Sequence, residues 1–249
     1  MALKIQVPPK DGPDESAAIS LAERGRDEQG NPIVSERRLW VQLLAFTGSV
    51  PEQELVRTLR DASLEGVLYA DINDPNGYAL LTFAQDPAHF IDVVRPFVRD
   101  SEFGTLRHRS ELAMLGRTYT IGYESDLDEA LIARPRRTML NPAWPWAVWY
   151  PLRRSGSFEQ LPPDEQRRML MEHGGIGRAF GRDDHAHDVR LSCHGLGTDD
   201  NDFVVGLVAP SLIGPSAIVQ RMRRTQHTAL YLERLGPFFV GRAIQQSPV

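Results

Sequence analysis

The chain has a single cysteine, Cys193, among 249 residues. That excludes an intrachain disulfide and a cysteine-based zinc cluster, and it suits a reducing compartment. Nowhere do about 18 apolar residues follow one another, so no membrane span is expected. No apolar run follows Lys4, so no secretory signal is expected and cytoplasmic is the default location. No Lys/Arg-rich run dominates and the formal net charge is −5, which argues against nucleic acid as a partner. Proline (18) and glycine (20) are present in ordinary numbers, so collagen-like and low-complexity architectures drop out. With 41% hydrophobic residues, the chain can bury one large core or two small ones.

Residues 1–37 are polar and carry Pro8-Pro9, Gly12-Pro13 and Gly30-Asn31-Pro32. They read as an extended arm with a short helix at Ser16–Arg24, of the sort that lies on a neighbouring subunit or stays mobile. A βαββαβ unit is expected over residues 38–122. It comprises a strand at Arg38–Phe46, a helix from Pro51 to Leu64, strands at Gly66–Asp71 and Gly77–Phe83, a helix at Pro87–Arg99 and a strand at Leu112–Ile121. A connecting segment, 123–145, follows.

The same order is expected again over 146–245. Strand Ala147–Tyr150 leads to helix Pro163–His173, strands Val189–Cys193 and Asp202–Val208, helix Pro215–Arg224 and strand Ala229–Arg234, continuing toward Phe238-Phe239-Val240. The two copies align at an offset of 125: Asn76 faces Asn201, Tyr78 faces Phe203, Leu80 faces Val205, Val93 faces Ile218 and Phe97 faces Met222. The expected fold is α+β, with two tandem ferredoxin-like units packed into one β-barrel-like core and helices outside.

One helix carries the most chemical information. Pro163 suits the first helical position, and Asp164 and Glu165 complement the positive end of the dipole. Met169, His173, Ile176 and Phe180 share one face, apolar except for the imidazole. Such a histidine either hydrogen-bonds a backbone group in the core or ligates a metal. Gly174-Gly175 is expected to loosen the helix there. Around it stand Trp149-Tyr150-Pro151-Leu152-Arg153-Arg154, with Tyr150 and Arg154 on one strand face, and Arg190-Leu191-Ser192-Cys193-His194, with Arg190, Ser192 and His194 on another. Arg136-Arg137 lies upstream. Each has a plainer reading as a wet tyrosine, a solvated cation or a packed thiol.

Five ordered motifs resemble the chlorite dismutase family: Trp149–Arg154, Leu161–Arg167, Met171–Arg178, Gly197–Val205 and Gly236–Gly241. The resemblance runs from Arg38 to Gly241. It implies a haem-binding C-terminal half in which His173 ligates the iron. It places Tyr150 where coproheme decarboxylases keep a redox-active tyrosine, Arg154 and Arg137 (or Arg136) at the porphyrin carboxylates, and Thr228 as a hydroxyl on another carboxylate. Arg190 falls at the distal position, where true chlorite dismutases have arginine. Tyr150 therefore favours conversion of coproheme to haem b with hydrogen peroxide, and Arg190 favours degradation of chlorite. A haem carrier or sensor without turnover is the third reading. The family also implies a homo-oligomer, a pentamer for chains of this kind, and the exposed aromatics expected at Trp144 and Trp146 fit that. Between His173 and Arg190 this chain is longer than the family spacing, and the extra residues, Gly181–Asp188, read as a polar loop with His185 and His187 solvated.

Overall fold

The computed structural model describes residues 19–247. A hairpin comes first, β1 (Glu23–Arg26) and β2 (Pro32–Ser35). The first repeat follows as β3 (Trp40–Thr47), α1 (Glu52–Asp61), β4 (Gly66–Asp71), β5 (Gly77–Ala84), a π-helical turn (Phe90–Val94) running into α2 (Arg95–Asp100), β6 (Arg107–His108) and β7 (Met114–Thr118). A second π-helical turn (Glu129–Ala133) leads into α3 (Arg134–Met139). The second repeat is β8 (Trp146–Arg154), α4 (Gly156–Glu159), α5 (Pro163–Arg182), β9 (His187–Ser192), β10 (Phe203–Ala209), α6 (Ile213–Met222), α7 (Gln226–Tyr231), β11 (Leu232–Leu235) and β12 (Phe239–Ser247).

The strands form one antiparallel ring. Its order is β10-β9-β7-β3-β5-β4-β12-β8, and β8 pairs again with β10 to close it. The two repeats therefore share a single eight-stranded barrel, joined at the β7–β9 and β4–β12 seams. Alternation along each strand sends one set of side chains inward: Val41, Leu43, Val67, Tyr69, Leu81, Ala147, Trp149, Leu191, Val204 and Phe239 are among those that fill the interior. Trp149 is fully buried there and lies directly across from Gly206, where a side chain would overlap its indole.

Outward-facing residues build two further clusters, one per repeat. Leu68, Leu80 and Phe46 pack under α1 and the π-helical turn before α2 through Leu55, Leu59 and Val94. Val148, Tyr150 and Leu207 pack under α6 and the end of α5 through Ile218, Ile176 and Phe180. The offset read from the sequence holds here, since Leu80 and Val205 occupy equivalent outward positions.

Five expectations are corrected. The arm helix at Ser16–Arg24 is not formed where it can be seen: residues 16–18 lie outside the described ones, and Glu23 and Arg24 belong to β1. The turn decides this, because Asp27 Oδ1 accepts from the backbone N–H groups of Gln29 and Asn31 at 3.0 and 2.7 Å, and Gly30 supplies a φ of +84°. The hairpin docks on its own chain, through Glu23 to Arg117 at 2.8 Å and to the Thr120 N–H at 3.0 Å. Helix α5 does not loosen at Gly174-Gly175 but continues to Arg182, because Ile176 and Phe180 pack beyond the glycines. Residues 229–231 are helical rather than extended, since the Thr225 hydroxyl caps α7 by accepting from the Thr228 N–H. His187 is not a solvated loop residue; it opens β9, stacks on Trp144 at 3.5 Å and bonds Asp184 at 2.7 Å. Trp144 is correspondingly packed rather than bare, and donates its Nε1–H to Asp184 at 2.9 Å. Among the described residues no helix is long and apolar enough to cross a membrane, and no group of three or more His, Cys, Asp or Glu could hold a metal ion.

Candidate functional site

The two outer clusters differ in how tightly their helices close. Ten-residue α1 buries both Leu55 and Leu59 against its sheet face. Twenty-residue α5 buries only Met169. Opposite α5, Leu152, Phe203 and Val205 are only partly buried, and Asp188 and Arg190 are exposed although they point from a sheet face that a helix crosses. Gly175 and Gly177 of α5 border open space. Each interior glycine costs about 1 kcal/mol relative to alanine, so this run sacrifices helix stability and leaves room beside the helix.

His173 lies on the α5 stripe that faces this opening. Its ring nitrogen Nδ1 is sealed from solvent without a hydrogen-bond partner. Burial, reinforced by the positive charges of Arg190 and Arg154, pulls its pKa down to about 4. The imidazole is therefore neutral at physiological pH, the form that binds a metal.

Across the opening, the pairing register sets Arg190, Val205 and Tyr150 side by side on β9, β10 and β8. Tyr150 is buried and its ring stacks on Phe238 at 4.7 Å. Burial raises its pKa, so the phenol keeps its proton. Arg190 is paired with Asp188 on the same strand face at 2.9 Å, and about two-fifths of its side chain remains exposed. At the far end of β8, Arg154 lies between two rings, 4.5 Å from the centre of Phe203 and 5.0 Å from that of Phe158. Its Nε is buried without a partner, and the carboxylate of Glu159 is 3.7 Å from its guanidinium. Four of the residues singled out from the sequence, His173, Tyr150, Arg154 and Arg190, thus converge on one face. Their electrostatic influence on one another agrees, since the charges of Arg154 and Arg190 both act on His173.

The other two stand differently. Thr228 is on α7, one residue from His227, and its hydroxyl accepts from Thr225 Oγ1 at 3.2 Å. Arg137 is not brought into the group. It lies on α3, where the chain approaches the start of β8 rather than its end, and it pairs with Glu129 at 2.6 Å. Arg136 there pairs with Glu65 at 2.5 Å. Both line a separate open hollow of about 570 Å³ with Ala133, Leu140, Asn141 and Pro142.

Sequence reasoning missed three neighbours. Tyr119 follows β7 and packs on Phe203 at 5.5 Å, within electrostatic reach of Arg190 and Arg154. Arg223, just past α6, acts electrostatically on Tyr150. His227 is buried with its ring 5.4 Å from that of His173. Tyr119 could have been found by continuing the strand alternation from Arg117; the other two are joined to the site only by the packing of α6 and α7, which leaves no local signal.

The residues present fit a flat, anionic iron ligand. A neutral histidine with a free ring nitrogen, an incompletely closed cleft and a desolvated arginine backed by aromatic rings suit an iron porphyrin with carboxylate arms. Comparison with known proteins agrees in fold. Residues 98–244 match the family described as chlorite dismutase. A haem-binding protein from Thermus thermophilus is 21% identical, with a TM-score of 0.64 over 84% of this chain and 94% of that one. A mutant chlorite dismutase from Candidatus Nitrospira defluvii, in complex with cyanide, is 14% identical, with a TM-score of 0.63 over 85% of this chain and 92% of that one.

Proposed function

The chain belongs to the chlorite dismutase family, and on that premise we propose that it is a haem-dependent oxidoreductase of the coproheme decarboxylase kind, converting coproheme to haem b with hydrogen peroxide. The observation that carries this reading is the Tyr150–Val205–Arg190 row set opposite the unpartnered imidazole of His173. His173 would hold the iron, and Arg154, with Thr228 and the nearby Tyr119, would receive the carboxylate arms. Arg137 keeps only an indirect place in this scheme, because its charge is taken up by Glu129.

The iron supplies two-electron chemistry with peroxide when the porphyrin is bound. Each propionate that becomes a vinyl group loses CO2 and two electrons; one hydrogen peroxide accepts them and, with one proton taken up, leaves as two waters. The protein's part is positional and electrostatic. Tyr150 carries a phenol whose proton is retained by burial, so oxidation of its ring must release the Oη proton at the same time. Its stack on Phe238 fixes the ring. Arg190, held by Asp188, places a fixed cation where negative charge develops on peroxide oxygen. Arg154 recognises a carboxylate through a planar, poorly solvated guanidinium.

The test is to supply coproheme and hydrogen peroxide and follow the product by mass. Loss of CO2 in wild type, absent in Tyr150→Phe, supports the assignment; no loss of mass defeats it. One observation favours a second reading: Arg190 stands on the same face as Tyr150. If the chain degrades chlorite, O2 evolution will collapse in Arg190→Gln, and failure to release O2 from chlorite removes this alternative. Reversible haem binding with no product in either assay would mark a carrier or sensor. A homo-oligomer, pentameric by family resemblance, and a cytoplasmic location belong to the same proposal, and the solution mass of the loaded protein tests the first.

A further inference from the structure

We infer that His227 is the hydrogen-bond partner that orients His173, a positioning residue acting through the imidazole of α5. The inference rests on the reading above, in which His173 holds iron.

His227 is the second residue of α7 and is 4% exposed. Both of its ring nitrogens are sealed from solvent and neither has a partner. An imidazole enclosed in this way, with no carboxylate bonded to it among the described residues, carries one N–H and one lone pair as the neutral ring. An unsatisfied buried group of this kind is destabilising. Such a cost persists in a fold where a use for the group exists.

The use is next to it. The His173 ring is 5.4 Å away, centre to centre, at an interplanar angle of 72°, and its sealed nitrogen, Nδ1, is likewise without a partner. Two neutral imidazoles side by side, one offering an N–H and the other a lone pair, satisfy each other. His227 also meets the Phe158 ring at 5.0 Å, which carries no N or O acceptor. The Thr225 hydroxyl is already engaged by Met222 O and Thr228 Oγ1. No carboxylate, carbonyl or hydroxyl among the described residues bonds His173.

A metal-bound histidine almost always donates its second N–H to an acceptor that fixes its tautomer and its rotation. A hydrogen bond between Nδ1 and His227 leaves Nε2 as the nitrogen for iron. Hydrogen bonds of this type are commonly long before the ligand is bound and shorten with it. The identity of the acceptor has a consequence. A neutral imidazole pulls less on the N–H than a carboxylate does, so His173 donates less electron density and the ferric state is less favoured.

The experiment loads the full chain with haem b and records the iron–histidine stretching band of the ferrous protein and its reduction midpoint. His227→Leu is expected to lower the band frequency and to weaken haem affinity about tenfold or more. His227→Gln, whose carbonyl can accept, is expected to return the frequency toward wild type. His227→Glu is expected to raise it above wild type and to lower the midpoint. If His227→Leu does not fold, the ordered displacement of Gln and Glu carries the test by itself. An iron–histidine band that is the same in every His227 variant overturns the inference while leaving His173 as ligand. A spectrum unaltered by His173→Ala overturns the ligand reading first, and this inference with it.

Discussion

The rings of Tyr150 and Phe238 are stacked 4.7 Å apart with their planes 30° from parallel. The tyrosine is therefore held by its ring and not by its hydroxyl, for which no hydrogen-bond partner is found among the described residues. Tyr150→Phe should keep the stack and the burial, shift the melting temperature by no more than a few degrees, and leave porphyrin binding intact. Loss of CO2 from coproheme should stop. Continued decarboxylation in that variant, read by product mass, would take Tyr150 out of the chemistry.

Arg154 is supported by two aromatic rings, each such contact contributing about 0.5–2 kcal/mol. Arg154→Lys retains the charge but loses the planar fork and the stacking. Coproheme affinity should fall about tenfold in Arg154→Lys and further in Arg154→Ala, in an absorption titration. Haem b, with fewer carboxylates, should be less affected. Equal losses for both porphyrins would show that Arg154 serves the fold rather than carboxylate recognition.

Gly206 lies opposite Trp149 inside the barrel, and a Cβ there would overlap the indole ring. Trp149 is fully buried and has no space to yield. Gly206→Ala should destabilise by about 1–3 kcal/mol, the usual cost of overpacking. Urea unfolding of the apo chain measures it; an unchanged midpoint would mean that the barrel interior accommodates more than its packing suggests.

How far the sequence could be read depended on the range of the signal. The duplication and the stripe Met169–His173–Ile176–Phe180 were legible because helical and strand periodicities are local. That stripe itself extends past Gly174-Gly175, and the packing of Ile176 and Phe180 outweighs the glycine cost. Thr225 could have been recognised as a helix cap three residues before Thr228, which would have prevented the strand reading at 229–231. Barrel closure through β8–β10 and the meeting of His173 with His227 were not legible, since both depend on long-range pairing that no spacing encodes. Arg137 looked available in the sequence because its partner Glu129, eight residues earlier across a π-helical turn, lies outside the usual helical pair spacings.

Cys193 gives a pH dependence separate from the candidate site. Its thiol hydrogen-bonds the Asn201 carbonyl at 3.2 Å, and burial, with the charges of Asp202 and Asp200, pushes its pKa up to about 12 from an ordinary 9.0. The unfolded chain loses this proton first. Between pH 9 and 12 the unfolded state binds fewer protons, so stability is fully present below 9 and declines as pH rises through that window. Cys193→Ser does not ionise there. From pH 8 to about 10.5, wild type should lose about 2 kcal/mol more than the serine variant in urea unfolding. Parallel losses in the two proteins would show that the thiol ionises normally in the fold.

The strand ring runs β10-β9-β7-β3-β5-β4-β12-β8 and returns to β10, so the two repeats are stitched together along two seams. Although the unit is repeated, neither copy is a protein in miniature. Cutting the chain between β7 and β8 would strip each fragment of its neighbours on both flanks and bare two rows of unpaired peptide groups, the condition under which separated halves clump or swap partners.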